Sequence, residues 1–200
     1  MALKPGKNIR LFKNPALEQL TYVHPAMPAL IWIPVLAFCF YRGMHTFGLS
    51  LSLSLSLTLG GLAVWTFAEY TLHRFVFHFH PKGAFQERIL FLIHGIHHDD
   101  PNDQRRLLMP PAAAAIIASI FWMLYSFLLG EAFVNPFFTG FLIGYLCYDY
   151  IHFATHFGRF KNGTFKYLKD YHMHHHFRHE DRMYGVSNPF WDYVFRTQPK

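Results

Sequence analysis

Apolar positions gather into four runs separated by polar, histidine-bearing segments. The runs extend from Met27 to Tyr41, Phe47 to Ala68, Leu107 to Leu129 and Phe133 to Phe153. A bilayer core takes about 20 apolar residues in helical form, and the last three runs supply them. The first is shorter and holds Pro28 and Pro34, so the preceding residues extend it or it is partly re-entrant. Leu51 to Leu59 alternates leucine with serine or threonine, which locally reads as a half-buried strand. A lone strand would leave its backbone groups unpaired in lipid. Serine and threonine in a membrane helix can bond back to their own backbone or across to a neighbour, so a helix is expected here too. The predicted fold class is all-α: an integral membrane protein with about four transmembrane helices and a histidine-rich helical cap. No repeat or linker divides residues 1–200. They form one domain, with a tail over 1–26 and the cap drawn from 69–106 and 157–200.

Composition agrees with membrane insertion. Charged residues make up 15% of the chain, against roughly 25% in soluble domains. Lys4, Lys7, Arg10 and Lys13 lie in the tail, Arg74, Lys82, Arg88, Arg105 and Arg106 between runs two and three, and the rest from Arg159 to Lys200. Arg42 alone falls on the other side. An excess of lysine and arginine marks cytoplasmic loops, so both termini and the cap are expected in the cytoplasm. The tail mixes Ile9, Leu11, Phe12, Leu17 and Leu20 with its bases, which suits either an amphipathic segment along the membrane surface or a disordered arm. A cleaved signal peptide is not expected, and Phe38 spoils the loose lipoprotein-box pattern that ends at Cys39. Cys39 and Cys147 sit in apolar runs and read as buried small hydrophobes, not a disulfide pair. No nucleic-acid partner is expected.

Ten of the fifteen histidines fall into four clusters: His73 with His78; His94, His97 and His98; His152 with His156; and His172, His175 and His176. Neutral imidazole is the commonest metal ligand. Ten exceed what one ion takes and suit two ions sharing a site. Positions three and four apart share a helix face, so each His-x-x-His-His set can offer three imidazoles to one point. His73 and His78 are five apart, roughly 140° on an ideal helix; they serve different ions or the helix loosens there. All four clusters lie on the predicted cytoplasmic face. His24 and His45 read as interfacial, and His80, His174 and His179 as surface or supporting groups.

Tyr145, Asp149, His152 and His156 follow offsets of four, three and four and form one stripe. Asp149 is placed to accept a hydrogen bond from a ligand imidazole and fix its tautomer; otherwise it is a solvated carboxylate at a helix end. Glu69, one turn before His73, has the same potential. Tyr145 and Tyr148 line a substrate passage or belong to the interfacial aromatic belt. Nitrogen ligation suits zinc, iron, copper or nickel, and zinc has no redox chemistry. Two irons activating O2 as co-substrate are the expected cofactors, and a purified sample can carry zinc.

The run from His73 to His78, His94-Gly95-Ile96-His97-His98, the segment from Arg106 to Pro111, the stretch from Tyr148 to His156, the run from His172 to Phe177 and Phe190 to Phe195 together resemble the fatty acid hydroxylase superfamily. Within it the chain is most similar to the fatty acid 2-hydroxylases, from about Glu69 to Thr197. The resemblance implies a non-haem dimetal monooxygenase with all ten clustered histidines as ligands. It inserts one oxygen atom of O2 at C2 of an acyl chain and reduces the other to water, with two electrons and two protons consumed. A membrane lipid or fatty acyl substrate is implied.

The chain departs from the family pattern in places. Eukaryotic members often begin with a fused cytochrome b5 domain, for which this length leaves no room. A separate electron donor, a ferredoxin or cytochrome b5-like protein, is therefore expected, and the short form suggests a bacterial inner membrane. Asp99 and Asp100 follow the second cluster, and Met183-Tyr184-Gly185 stands where related chains often carry Gly-x-Gly. The rival readings are a carotenoid or sterol-type hydroxylase or desaturase of the same dimetal class, and a histidine-rich metal transporter. A transporter would place its ionisable ligands near the membrane midplane, not at one face.

Overall fold

The computed structural model describes Lys7 and residues 9–199; Lys4 and Lys200, counted above in the charge pattern, lie outside them. Among the described residues every regular element is helical. In chain order these are α1 (Pro15–Gln19), α2 (Met27–Tyr41), α3 (Leu51–Leu72), α4 (Ala84–Leu90), α5 (Ile96–Asp99), α6 (Pro111–Phe157), α7 (Gly163–Phe177) and α8 (Phe190–Val194). Wider π-helical turns follow α2 at Arg42–Thr46 and α3 at His73–Phe77, and Phe91–Gly95 joins α4 to α5. Three helical segments, Met27–Thr46, Leu51–Phe77 and Pro111–Phe157, are long and apolar enough to cross a membrane.

The chain divides into two compact units. One comprises the described residues of Met1–His24, Glu69–Pro110 and Tyr148–Lys200; the other comprises Pro25–Ala68 and Pro111–Cys147. The second is an apolar bundle. Its leucine–serine alternation is helical, because Ser56 Oγ donates to the Ser52 carbonyl at 2.9 Å and Thr58 Oγ1 to the Ser54 carbonyl at 2.8 Å. Those two hydroxyls are satisfied inside the helix, Ser54 Oγ is buried without a hydrogen-bond partner, and most of the leucines face outward. The run expected from Leu107 starts as helix only at Pro111, a residue suited to a first helical turn.

Within α6, Gly130 has φ 77° and ψ 164°, outside helical geometry. Phe121 and Phe141 would be about 30 Å apart along one straight helix, yet their ring centroids are 4.8 Å apart. Tyr125 and Phe137 likewise approach to 4.8 Å. The element is therefore a hairpin of two antiparallel arms, and the third and fourth apolar runs of the sequence are those arms. Glycines let α3 meet the second arm backbone to backbone. A Cβ on Gly140 would lie 1.7 Å from the Thr58 carbonyl oxygen, and one on Gly61 1.8 Å from that of Phe137. Small residues at such contacts are the usual means of close helix packing in lipid, where hydrophobic association is lost. Of the two cysteines, Cys39 is buried as expected. Cys147 is exposed, because it lies on the outward face of its helix while Leu146 and Tyr148 on either side are buried.

The first unit is tied together by charge. The Glu18 carboxylate accepts from the Leu11 and Phe12 N–H groups at 3.0 and 2.8 Å, and pairs with Arg106. Arg106 also holds Asp103 at 3.0 Å and donates to Thr21 and Tyr22, each at 3.1 Å. The Val23 N–H donates to the Arg105 carbonyl at 2.7 Å. Over residues 9–24 the tail is thus held by an ion pair and backbone hydrogen bonds and is not a disordered arm. A buried guanidinium needs a buried carboxylate, and Glu18 is the tail residue that provides it.

The packing of α3 against the hairpin gives a direct expectation. Gly140→Ala should destabilise the detergent-purified chain by about 1–3 kcal/mol, read as a lower midpoint of thermal unfolding. Gly60→Ala should leave the midpoint nearly unchanged, because a Cβ there meets only the Phe137 ring at 3.9 Å.

Candidate metal centre

The ten clustered histidines converge in the first unit as two groups of five. His73, His78, His94, His98 and His175 form one; His97, His152, His156, His172 and His176 form the other. Within each group the ligand nitrogens all lie within 4.8 Å of one another. Eight of the ten side chains are buried, and His78 and His98 are partly so. None of His24, His45, His80, His174 and His179 joins either group.

The grouping corrects one reading of the sequence. Neither His-x-x-His-His set offers three imidazoles to one point. His94 and His98 enter one group and His97 the other; His172 and His176 enter one and His175 the other. The helix explains the split. Positions i and i+4 differ by about 40° around the axis, whereas i+3 and i+4 differ by about 100°. Each motif therefore serves both groups, and the stacked rings of His98 and His176, 4.2 Å apart, bring the two groups side by side.

His73 and His78 reach the same group because the helix loosens between them. The π-helical turn His73–Phe77 winds less per residue, and His78 follows it with φ −118° and ψ 30°. A second such turn, Phe91–Gly95, presents His94. Loosened turns of this kind recur at functional sites.

Backbone carbonyls set the protonation of three rings. His73 Nδ1 lies 2.6 Å from the Tyr184 carbonyl, His175 Nδ1 2.6 Å from that of Arg182 and His156 Nδ1 3.0 Å from that of Pro101. A carbonyl can only accept, so each Nδ1 carries the hydrogen and each Nε2 presents a lone pair. The Nε2 atoms then face one another. His73 and His94 are 3.2 Å apart, His94 and His98 3.0 Å, and His78 and His175 3.1 Å. In the other group His97 and His152 are 2.9 Å apart, His156 and His172 3.0 Å, and His172 and His176 3.0 Å.

Two such rings can share an N–H···N hydrogen bond, but five nitrogens within 4.8 Å of one another are also the donor set that one cation among them would satisfy. Two nitrogens about 2.1 Å from one ion are about 3.0 Å apart at a right angle and about 3.4 Å apart at the tetrahedral angle. The observed spacings fit the first case, so each group has the donor type and spacing to hold a metal ion of more than four ligands.

A carboxylate-braced loop carries two of the three carbonyls. Glu69, 3% exposed, accepts from the Val186 and Ser187 N–H groups at 2.9 and 2.7 Å and from the Ser187 hydroxyl. Asp192 accepts from the N–H groups of Tyr184 and Gly185 at 2.9 and 2.7 Å and from the Thr197 hydroxyl at 2.7 Å. Between the carbonyls of Arg182 and Tyr184 stands Met183, with φ 61°. A non-glycine residue in that region costs about 1 kcal/mol or more. Burial of the Met183 side chain offsets part of that strain here.

Glu69 therefore acts one bond further out than its place before His73 suggests, by holding the loop that orients the ring. Asp192 had no role in the sequence reading, and its one signal is a lone carboxylate within the aromatic run from Phe190 to Phe195. Asp149 is buried, and its carboxylate accepts from the Met109 N–H at 3.4 Å. The Tyr148 ring lies 5.7 Å from that of His152. Tyr145 belongs to the apolar bundle, packed edge-on against Trp32 and Trp65.

Burial pushes the cap imidazoles toward the neutral state that metal binding requires. Burial and the nearby His175 take His78 down to about 3. Burial, then His175 and His78, takes His98 down to about 2. His94, His97, His172 and His176 are driven well below the ordinary histidine value, first by burial and then by neighbouring imidazoles.

The family model described as fatty acid hydroxylase matches residues 58–197. Dihydroceramide fatty acyl 2-hydroxylase FAH2 of Arabidopsis thaliana is 40% identical over 199 residues, covering 95% of this chain and 80% of that protein. Fatty acid 2-hydroxylase of Homo sapiens is 33% identical over 209 residues, covering 94% and 56%. The solved structure of full-length scs7p, in which only the hydroxylase domain is visible, superposes with a TM-score of 0.88 at 35% identity, covering 94% of this chain and 71% of that one.

The depressed imidazoles give a pH dependence. Between their folded values and the ordinary value near 6.5 the unfolded chain binds more protons than the folded one, so stability is full above about pH 6.5 and falls as pH drops below it. Thermal unfolding of chelator-treated protein should be level from pH 8 to 7 and decline steadily toward pH 5. A midpoint unchanged over that range would contradict a cage of buried neutral rings.

Proposed function

The chain belongs to the fatty acid hydroxylase family, and from that membership and its paired imidazole groups we propose that it hydroxylates the acyl chain of a membrane lipid at C2, using O2. The observation that carries the reading is the pair of five-nitrogen groups side by side, a donor set suited to two metal ions. The ten histidines are the ligands. Five imidazoles in each group exceed the four that zinc usually takes, which favours iron, and iron pairs supply the activation of O2 when bound. The reaction breaks one C–H bond at C2, forms a C–O bond with one atom of O2, and reduces the other atom to water with two electrons and two protons.

The protein's part is to position and to exclude. The carbonyls of Tyr184, Arg182 and Pro101 hold His73, His175 and His156 with Nε2 inward. Glu69 and Asp192 keep the Tyr184–Ser187 loop in place. No side-chain nucleophile is needed, since the acyl carbon is attacked by oxygen. The relatives are described as dihydroceramide fatty acyl and fatty acid 2-hydroxylases, which supports a ceramide-type or related acyl carrier. C2 lies beside the acyl carbonyl, at headgroup depth, where charged groups need not enter hydrocarbon.

The two arms of α6 are each long enough for a bilayer, which with α2 and α3 supports four spans. Lysine and arginine placement supports cytoplasmic termini and a cytoplasmic cap. Electrons come from an acidic redox protein of the ferredoxin or cytochrome b5 kind, drawn by a chain of net charge +6.

Lipids of cells expressing the chain should gain one oxygen per acyl chain, placed at C2 by fragment-ion mass spectrometry. His97→Ala and His175→Ala should each abolish that product while the protein stays in the membrane fraction. Full activity in either variant, or oxygen at another carbon, would reject the assignment.

A further inference from the structure

The apolar bundle contains a groove that the metal groups do not use. It has a volume of about 370 Å³ and is walled by α2 and both arms of α6, with Trp32, Trp122 and Phe138 among its apolar residues. Its polar lining includes Arg42 and Asn135. They come together because Gly43 packs on Pro136, where a Cβ would lie 2.8 Å from the proline Cδ.

Both polar groups are unmatched. Asn135 is 1% exposed. Its Nδ2 donates to the Glu131 carbonyl, which fixes the amide orientation because that carbonyl cannot donate. Its Oδ1 is left buried with no hydrogen-bond donor. Arg42 makes no ion pair among the described residues, and its guanidinium stands over the Phe47 ring at 5.4 Å. A buried acceptor without a donor costs about 1–3 kcal/mol, and a cation beside hydrocarbon is favoured only with an anion or water. An apolar slot bearing an unpaired cation and an unpaired acceptor is complementary to a molecule with an acyl chain, an anionic group and a hydroxyl.

We propose that this groove binds an anionic glycerophospholipid with a hydroxyl-bearing headgroup. Its phosphate pairs with Arg42, a headgroup hydroxyl donates to Asn135 Oδ1, and an acyl chain runs along Trp122 and Phe138. The site is separate from the imidazole groups and does not depend on the hydroxylase reading.

The test uses the full chain purified in detergent. Dioleoyl phosphatidylglycerol and dioleoyl phosphatidylcholine are titrated in, and retained lipid is read by native mass spectrometry. Phosphatidylglycerol should be retained preferentially. Arg42→Gln should weaken it about tenfold and Asn135→Leu about fivefold, the worth of one charge-assisted and one neutral hydrogen bond. Ala118→Phe, which fills the apolar wall and leaves both polar groups, should abolish retention. Soluble glycerophosphoglycerol should not compete, since it lacks the chain. Circular dichroism and gel filtration identify folded variants, and if Arg42→Gln fails them the other two substitutions decide. Equal retention of the two lipids, competition by the soluble headgroup, or wild-type retention in Asn135→Leu and Ala118→Phe would overturn the proposal.

Discussion

The constraint on which the structure turns is the convergence of five imidazole nitrogens in each of two groups. In rings kept neutral by burial, Nε2 atoms about 3 Å apart form a donor set that a cation at its centre would satisfy. Everything nearby serves to hold the rings in that pose. Two π-helical turns aim His73 and His94. Three backbone carbonyls fix the tautomers of His73, His156 and His175. Two buried carboxylates, Glu69 and Asp192, hold the loop that supplies the carbonyls of Arg182 and Tyr184 in place. The carboxylates do not touch the rings. They act through the backbone, which makes ring orientation depend on them.

The apolar bundle solves a different problem. In lipid, helices gain little from burying apolar surface against one another, so contact rests on close packing and on satisfied polar groups. Gly61 and Gly140 supply the close approach, and Thr58 Oγ1, which also lies 3.0 Å from the Pro136 carbonyl, supplies a polar link across the same interface. The break at Gly130 turns what would be one 47-residue helix into a hairpin. Arg42 and Asn135 are two unmatched polar groups of this unit that line one groove, and that is what makes the groove informative.

Much of this was legible in the sequence. The apolar runs match the helices to within a few residues, and the leucine–serine alternation resolved as helix for the reason that lipid dictates. The ten histidines converge, and the five outside the clusters do not. Their partition was not legible, because sharing a helix face is too coarse a criterion. The roughly 100° between i+3 and i+4 sends His97 and His175 to the opposite group from His98 and His176. The union of His73 with His78 needed a loosened turn, which five-residue spacing allows but does not require. The orienting carbonyls were invisible as well, since any residue type can supply one. The contacts that order the tail were not legible, because Glu18 and Arg106 are distant in sequence and their pairing is a tertiary fact.

The most direct test concerns that partition. Metal content per chain would be measured on purified wild type and two double variants, His94→Ala with His175→Ala and His94→Ala with His97→Ala. The first pair removes rings from one group but two motifs; the second removes rings from one motif but both groups. The structure predicts about two ions in the wild type, about one in the first variant and fewer in the second, since losing one or two imidazoles weakens a site steeply. The opposite ranking, with the second variant keeping an ion that the first loses, would contradict the account.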